Sequence, residues 1–250
     1  MYTLFIGNNT IRLPIVESTN TYAQELVKHS KPPEGTIVLA QEQLRGRGQR
    51  GNTWLSEARK NLTFSLILYP TSIPAENQFL LTQLISIALV DFIKHEMNSE
   101  SIKIKWPNDI YVGNKKIGGV LIENSLRGPE ISSAVIGIGL NINQEIFGDL
   151  NATSLKIESG KSFDLLNCYE MLCASIEARY LQFINKNFDS LKADYLKKLF
   201  QLDELAYYEI EGKSVQAKII GVTKAGKLLL EKTNDCMVLE LGLKEVKFIF

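Results

Sequence analysis

The sequence has few of the residues that build metal centres. It contains three cysteines and two histidines among 250 residues. Cys168, Cys173 and Cys236 are odd in number and lack CxxC spacing, and His29 and His95 lie far apart in the chain. We therefore expect no structural zinc site. Cys168 and Cys173 fall in a stretch of helical periodicity, where a thiol packs as a small apolar side chain, so we interpret them as core residues.

An excess of charge and a long apolar run are also absent. The 28 Lys and Arg residues balance 28 Asp and Glu residues, so no global field attracts a polyanion, and general nucleic-acid binding is not expected. No apolar run approaches the ~18 residues that span a bilayer, and the N-terminus has no basic stretch before an apolar core. With 45% hydrophobic residues, we expect a mature cytoplasmic protein of one large or two unequal domains.

The hydrophobic pattern predicts mixed helices and strands, followed by strands alone. Helices are predicted at 17–30, 74–97, 163–184 and 188–199, and strands at 36–41, 62–69, 102–105, 110–112, 116–123 and 133–140. Five further β-rich runs are predicted at 205–211, 214–222, 227–231, 236–241 and 244–250. We place a domain boundary near Leu202, giving domains 1–202 and 203–250, and predict an α+β fold. It comprises a mixed or antiparallel sheet flanked by helices, with a small C-terminal β-barrel.

One segment is too polar for a core element. Residues 41–53 (QEQLRGRGQRGNT) hold three glycines and one apolar residue, Leu44, so we predict a long mobile loop. Residues 41–60 carry five basic and two acidic side chains, a local net charge of +3. Glycines let the backbone approach a ligand, and arginines donate in pairs to carboxylate or phosphate. The segment therefore favours an anion site, with a solvated Gly/Arg loop as the alternative.

Residues 101–120 form a second basic cluster, with four lysines and one aspartate. Lys103 and Lys105 alternate with isoleucines, which a strand with one solvated face also explains. Residues 106–109 (WPND) combine an aromatic ring, a rigid turn and two oxygen-bearing side chains. That combination suits a nucleotide or a metal–phosphate group. Gly118 and Gly119 within a strand pattern indicate backbone in close contact with a ligand.

Two shorter segments add polar groups. Residues 18–20 (STN) are most simply a helix cap, although a helix N-terminus also offers N–H groups and hydroxyls to a ligand. Residues 137–143 (GIGLNIN) end a strand with small residues and two carboxamides. A strand edge over a pocket explains this pattern, and so does a simple strand exit.

In their order along the chain, these pieces resemble the biotin–protein ligases. The matching motifs are ESTN at 17–20, Gln43, GRGQRG at 46–51, Trp54, KWPND at 105–109, KIGGVLIE at 116–123, GIGLNIN at 137–143 and ATSL at 152–155. KWPND followed by KIGG at this spacing is specific, whereas GRG or STN alone is weak. The resemblance covers about residues 15–155 by motif and the remainder by layout. It implies a class II aminoacyl-synthetase-like catalytic domain and an SH3-like C-terminal barrel.

The resemblance implies an enzyme that converts biotin and ATP into biotinyl-5'-AMP and pyrophosphate, then transfers biotin to a lysine of a biotin carboxyl carrier protein. Lys116 is the expected catalytic residue, with Arg47, because a cation offsets the repulsion between carboxylate and α-phosphate. Mg²⁺ is expected with ATP, its ligands unassigned. The implied biotin-binding residues are Ser18, Thr19, Asn20, Gln43, Gly46, Arg47, Gly48, Gln49, Lys116 and Gly119. The implied ATP-binding residues are Trp54, Lys105, Asn108, Asp109 and Asn141.

The sequence departs from the commoner pattern of this family in two places. Gln49 stands where a basic residue is frequent, and Asn52-Thr53 replaces another often basic pair, so we expect weaker retention of the adenylate. The helix predicted at 17–30 begins almost at the N-terminus, which leaves no room for the winged-helix DNA-binding domain of some relatives. We therefore expect a monofunctional ligase without repressor function, monomeric or homodimeric, with neither DNA nor a membrane as partner.

Two other functions compete with this interpretation. A lipoate–protein ligase resembles this family in fold and uses the same two-step adenylation, although GRGQRG with KWPND favours biotin. A non-enzymatic nucleotide- or RNA-binding module with a β-barrel tail would also explain the basic clusters. Zero net charge and the lack of aromatics interleaved with those clusters count against it.

Overall fold

The computed structural model describes residues 3–70 and 73–249. Its larger sheet has seven strands in the order β1-β2-β3-β7-β6-β5-β4. β1 and β2 run parallel and the other neighbouring pairs antiparallel, so the sheet is mixed. Its strands are β1 (Thr10–Val16), β2 (Ile37–Gln43), β3 (Leu62–Leu68), β4 (Ile102–Lys105), β5 (Asp109–Val112), β6 (Lys115–Arg127) and β7 (Glu130–Leu140).

Helices flank this sheet on both faces. Among the described residues, none of them is long and apolar enough to cross a membrane. α2 packs against α4, α5 and the sheet, and it is apolar on nearly all sides up to Val90 because its neighbours surround it there. The helices are α1 (Thr19–His29), α2 (Phe79–Met97), α3 (Leu155–Ser159), α4 (Leu165–Ile184) and α5 (Phe188–Lys197).

β3 lies in the middle of the sheet and is buried along its whole length. Ile67 faces α1, where it packs with Ala23, Val38 and Val135. Leu66 points to the opposite face and joins the main core around α2. Because helices cover both faces, β3 is almost continuously apolar instead of alternating.

The C-terminal part forms a separate antiparallel sheet in the order β11-β10-β9-β8-β12. It packs against the turn that follows β4: the Trp106 indole N–H donates to the Gly226 carbonyl at 2.9 Å. A Cβ on Gly226 would overlap the ring of Phe79 in α2, which explains the glycine in this tight turn. The strands are β8 (Leu205–Ile210), β9 (Lys213–Val222), β10 (Leu228–Lys232), β11 (Val238–Leu241) and β12 (Lys247–Phe248).

The observed architecture confirms the predicted fold class, with several local differences. The predicted loop 41–53 was wrong at its start, because β2 continues through Gln43, and Gln49–Gly51 forms a short 3-10 helix. The predicted helix 74–97 begins as α2 only at Phe79. β1 and α3 were not predicted. The boundary proposed at Leu202 falls between α5 and β8, and Phe250 of the predicted strand 244–250 lies outside the described residues.

Candidate active site

A cavity of about 470 Å³ opens over the larger sheet. Its floor is made by β6 and β7, and its walls by the start of α1, residues 47–54, residues 105–109 and residues 243–248. All predicted site residues line it except Gly46 and Asn141. The fold thus brings together motifs that lie more than a hundred residues apart in the chain.

Gly46 and Asn141 lie behind the cavity wall. A Cβ on Gly46 would overlap the backbone oxygen of Trp54, whose N–H donates to the Gly46 carbonyl at 2.9 Å. The Asn141 amide donates to the Thr153 carbonyl at 2.9 Å and is 3% exposed. Both residues therefore support neighbouring segments in this structure, and direct ligand contacts for them stay predictions.

The start of α1 forms the polar end of the cavity. Ser18 is the N-cap residue of α1, yet its hydroxyl makes no capping hydrogen bond. Gln43 Oε1 accepts from the Thr19 backbone N–H at 2.8 Å and from the Thr19 hydroxyl at 3.0 Å. The hydroxyl of Ser65, fully buried in β3, lies 2.8 Å from Thr19 Oγ1 and 2.5 Å from Asn20 Oδ1. These groups form one fixed, neutral cluster.

This cluster has fewer hydroxyl hydrogens than contacts. Thr19 and Ser65 carry one hydroxyl hydrogen each. The hydroxyl contacts Thr19–Gln43, Ser65–Thr19 and Ser65–Asn20 need one hydrogen apiece. One contact therefore lacks a hydrogen at any moment. Because Thr19, Asn20 and Gln43 line the cavity, a ligand N–H can supply the missing donor.

Two glycines of β7 leave room for side chains that pack directly on this strand. A Cβ on Gly137 would overlap the side-chain amide of Asn20, and a Cβ on Gly139 would overlap the indole ring of Trp54. Both side chains therefore lie directly on the backbone of β7. Of the two interpretations of GIGLNIN, the strand over a pocket applies to Gly137 and Gly139, which line the cavity.

Lys116 lies in the middle of the cavity. Its ammonium is 2.6 Å from Asp109 Oδ1 and 5.7 Å from the centre of the Trp54 ring. The two charged side chains are 30% and 31% exposed, so solvent still reaches the pair. A Cβ on Gly119 would lie 3.3 Å from Lys116 Nζ and 3.0 Å from Asp109 Oδ1. Gly119 thus leaves room for the pair beside the strand.

Lys105 lies at the side of the cavity nearest the C-terminal sheet. Its ammonium is 5.2 Å from the ring centre of Tyr111 and 5.0 Å from that of Phe248. Burial lowers the pKa of Lys105, an effect that the nearby Asp109 carboxylate opposes and the Lys116 ammonium reinforces. An anionic ligand placed here would restore the preference for the charged form.

The turn between β4 and β5 is held from two sides. The Asn108 amide, 4% exposed, donates to the Val120 carbonyl of β6. The Tyr195 hydroxyl of α5 donates to the Pro107 carbonyl at 2.8 Å. Asn108 thereby fixes the position of Asp109 next to it.

Residues 46–54 form a short hairpin over the cavity. The Gly48 N–H donates to the Asn52 carbonyl at 2.7 Å across it. Arg47 reaches from the hairpin to Glu123 in β6, with Nη2 2.7 Å from Oε1 and Nη1 3.2 Å from Oε2. Arg47 lines the cavity, and Glu123 lies behind it.

Sequence reasoning missed several residues at this site. Ser65 is a polar residue in a largely apolar strand, and that pattern could have indicated a site residue. Glu123 is the last residue of the KIGGVLIE motif, and this glutamate was assigned no role. Lys244 and Lys247 had no local signal, because only the packing of the second sheet brings them to the cavity.

The lining carries an excess of positive charge. Asp109 is the acidic residue of the described lining, and it is paired with Lys116. In the part of the chain that the structure describes, no group of three or more His, Cys, Asp or Glu residues could hold a metal ion. The basic residues of the lining are Arg47, Lys105, Lys116, Lys244 and Lys247.

Comparison with known proteins points to one family. Residues 13–141 match the biotin/lipoate A/B protein ligase family. The chain is 31% identical over 236 residues to the bifunctional ligase/repressor BirA of Bacillus subtilis, covering 92% of this chain and 71% of BirA. It is 25% identical to the biotin--[acetyl-CoA-carboxylase] ligase of Mycobacterium tuberculosis, covering 94% of this chain and 89% of that enzyme.

A solved structure agrees with these matches. The biotin protein ligase of Aquifex aeolicus in complex with biotin and ATP superposes with a TM-score of 0.79 at 28% identity, covering 97% of this chain and 99% of that one. The family match, the sequence relatives and the solved structure therefore indicate the same family as the motifs around the cavity. The chain belongs to the biotin/lipoate A/B protein ligase family, among its biotin–protein ligases.

Proposed function

We propose that this protein activates biotin with ATP and transfers it to a lysine of a biotin carboxyl carrier protein. One observation carries the proposal: a single cavity joins a neutral hydrogen-bonding end at Thr19, Asn20 and Gln43 to a cationic middle at Arg47 and Lys116. Biotin has the same two ends, a ureido ring and a carboxylate. We propose a cytoplasmic location, where ATP and carrier proteins are available.

The neutral end favours biotin over lipoate. The ureido ring offers two N–H donors and one carbonyl acceptor, and the cluster around Ser65 lacks a hydrogen for one of its contacts. The dithiolane ring of lipoate has no N–H to supply, so it would leave polar groups unpaired. Arg47, Lys105 and Lys116 of the two basic clusters line a cavity instead of an open surface, which counts against an RNA-binding module.

In the first step, a carboxylate oxygen of biotin attacks the α-phosphorus of ATP. The new oxygen–phosphorus bond forms as the bond to the β-phosphate oxygen breaks, and pyrophosphate leaves with that electron pair. Lys116 lies where it can contact both anions and offset their repulsion. Asp109, 2.6 Å from its ammonium, holds the cation in that place.

In the second step, a carrier lysine attacks the acyl carbonyl of biotinyl-5'-AMP. An amide bond forms, AMP leaves with the electron pair of the anhydride oxygen, and the amine loses its proton. Arg47 and the 46–54 hairpin cover the cavity and would shield the adenylate from water before the carrier arrives.

The remaining lining residues suit ATP. Trp54 offers an aromatic face, and Lys105, Lys244 and Lys247 supply charge for the polyphosphate. Mg²⁺ typically takes one or two carboxylates together with substrate phosphates. Asp109 fits as its protein ligand, and when bound the ion would neutralise phosphate charge.

The test of this function is pyrophosphate release by the purified protein with ATP and either biotin or lipoate. We expect release that depends on biotin. Release with lipoate and not with biotin would assign the lipoate reaction instead, and no release with either acid would contradict the proposal.

A further inference from the structure

Glu123 connects two parts of the cavity that the proposed reaction uses separately. Its Oε2 accepts from the Asn20 amide at 2.9 Å, and both of its oxygens accept from the Arg47 guanidinium. Asn20 belongs to the neutral end and Arg47 to the hairpin. Glu123 itself does not line the cavity, and its side chain is 24% exposed.

The connection continues on the far side of Asn20. Asn20 Oδ1 lies 2.5 Å from the Ser65 hydroxyl, which lies 2.8 Å from Thr19 Oγ1, and Thr19 donates to Gln43. Contacts of hydrogen-bond length therefore run without a gap from Gln43 to Arg47, although one of the hydroxyl contacts lacks a hydrogen at any moment. Ser65 is fully buried, so solvent does not replace it as a partner.

The geometry gives Asn20 little freedom. Its amide lies directly on Gly137, where a Cβ would overlap it. Its carbonyl oxygen faces Ser65 and its NH₂ group faces Glu123. If the Asn20 amide rotated by 180°, its oxygen would face the Glu123 carboxylate, and two acceptors would meet. Its NH₂ group would then face Ser65, where two donors would meet whenever the serine hydrogen points to Asn20. A Ser65 hydrogen that points to Asn20 therefore fixes the orientation of the amide that donates to Glu123.

We propose that Glu123 is a positioning residue that couples occupation of the neutral end to the placement of Arg47. This rests on the proposed function. A ureido N–H that satisfies Gln43 lets the Thr19 hydrogen turn to Ser65 and the Ser65 hydrogen settle on Asn20. Asn20 then holds Glu123 in place, and Glu123 holds the guanidinium by its two Nη groups. The guanidinium keeps further N–H donors for the carboxylate or phosphate.

Coupling of this kind is reciprocal. Binding of the biotin ring should steady the hairpin before ATP arrives, and a steadied Arg47 should tighten biotin. A residue with a purely structural role would change the stability of the protein and leave this mutual dependence intact.

The test compares the wild type with Glu123→Gln, which keeps the shape but lacks the charge. Trypsin cleavage at Arg45 and Arg47 reports the hairpin, with and without biotin. Glu145→Gln is the matched control, since it breaks a carboxylate–lysine pair of 2.6 Å at Lys156 that is not part of the cavity lining.

We expect biotin alone to slow cleavage in the wild type and in Glu145→Gln, and not in Glu123→Gln. The KM for biotin should rise about tenfold in Glu123→Gln, since a charge-assisted hydrogen bond is replaced by a neutral one. In an Arg47→Ala background, Glu123→Gln should add no further rise. Equal protection by biotin in wild type and Glu123→Gln, or additive effects of the two substitutions, would overturn the coupling.

A second variant tests the coupling independently, and the pyrophosphate assay separates failure of the coupling from failure of the proposed function. If Glu123→Gln does not fold, Arg47→Lys tests the same connection from the hairpin, where the side chain is 43% exposed. A lysine keeps the charge and cannot donate through two Nη groups, so biotin should no longer protect the hairpin. If the wild type releases no pyrophosphate with biotin and ATP, the proposed function fails; if it does and biotin still protects the Arg47→Lys hairpin, only the coupling fails.

Discussion

At the scale of single residues, charge placement decides the chemistry of this cavity. Lys116 lies beside one carboxylate, Asp109, and above the face of Trp54. An ammonium has three N–H donors, so Lys116 can donate to a second anion while it contacts Asp109. That second anion is the biotin carboxylate or the α-phosphate in the proposed reaction.

Removal of the Lys116 ammonium should therefore abolish most adenylation. Lys116→Ala should lower the rate of biotin-dependent pyrophosphate release about a hundredfold or more, because two anions would meet without a countercharge. The melting temperature should change little, since the side chain is partly exposed. Lys115→Ala, an exposed neighbour outside the cavity lining, is the control and should retain activity. A wild-type rate in Lys116→Ala would remove this lysine from the mechanism.

Gln49 is expected to govern how long the adenylate stays bound. It lines the cavity with a neutral amide, and the nearby cation of Arg45 is paired with Glu17 at 3.3 Å instead of lining the cavity. The side chain of Arg50 lies outside the described part of the structure. Gln49→Arg should slow release of biotinyl-5'-AMP without speeding its formation, because a shielded charge-assisted hydrogen bond is worth about 1.5 to 3 kcal/mol.

Release of the intermediate can be followed after rapid dilution of the loaded enzyme. Gln49→Asn shortens the side chain without adding charge and serves as the control. Unchanged or faster release from Gln49→Arg would mean that other groups hold the hairpin over the adenylate.

At the scale of elements, periodicity predicted the long segments and failed on short or exposed ones. α2 and α4 repeat apolar residues over several turns; α4 follows its predicted range closely, and α2 ends at the predicted residue although it begins five residues later. β1 (TIRLPIV) is an edge strand with an exposed Ile15 and an internal proline, so neither alternation nor continuous burial marks it. α3 is a single turn, too short for periodicity to show.

The 46–54 hairpin shows why the local structure of a polar segment was not predicted. Residues 41–53 contain one apolar residue, Leu44, which is exposed, and this composition favoured a long mobile loop. Its anchor, Trp54, lies one residue beyond that window and packs on Gly139 of β7. A contact between segments so distant in the sequence cannot be predicted from local composition.

The close packing of α1 on β7 yields a prediction for biotin affinity. Gly137→Ala should displace the Asn20 amide, because the added methyl group would overlap it. Overpacking of this kind costs about 1 to 3 kcal/mol, so the KM for biotin should rise roughly tenfold, while the KM for ATP should change little. Ser133→Ala, on the same strand and outside the cavity lining, is the control. An unchanged KM for biotin in Gly137→Ala would show that Asn20 does not position the ring.

At the scale of the whole molecule, the second sheet completes the cavity. Residues 243–248 form one of its walls, and the Trp106–Gly226 hydrogen bond joins the two sheets. Tyr208 and Ile219 of the second sheet belong to the same apolar core as α2. The strands of this region were predicted from turns and β-rich runs, whereas its contribution to the site depends on tertiary packing alone.

Lys244 provides the test of that contribution. Lys244 is exposed and lines the cavity, and its ammonium should attract the polyphosphate of ATP. Lys244→Ala should raise the KM for ATP roughly three- to tenfold, a modest effect because solvent screens the charge, and should leave the KM for biotin unchanged. Lys224→Ala, an exposed lysine in the turn between β9 and β10 and outside the cavity lining, is the control. Equal ATP dependence in Lys244→Ala and the wild type would exclude this lysine from nucleotide binding.

The central claim is that one cavity forms and holds biotinyl-5'-AMP until a carrier lysine accepts the biotin. Native mass spectrometry of the protein after incubation with ATP and biotin tests this most directly, followed by addition of a biotin carboxyl carrier domain. We predict a complex heavier than the free protein by the mass of biotinyl-5'-AMP, which disappears as the carrier gains one biotin. A complex that forms with lipoate in place of biotin, or an adenylate that persists while the carrier stays unmodified, would contradict the account.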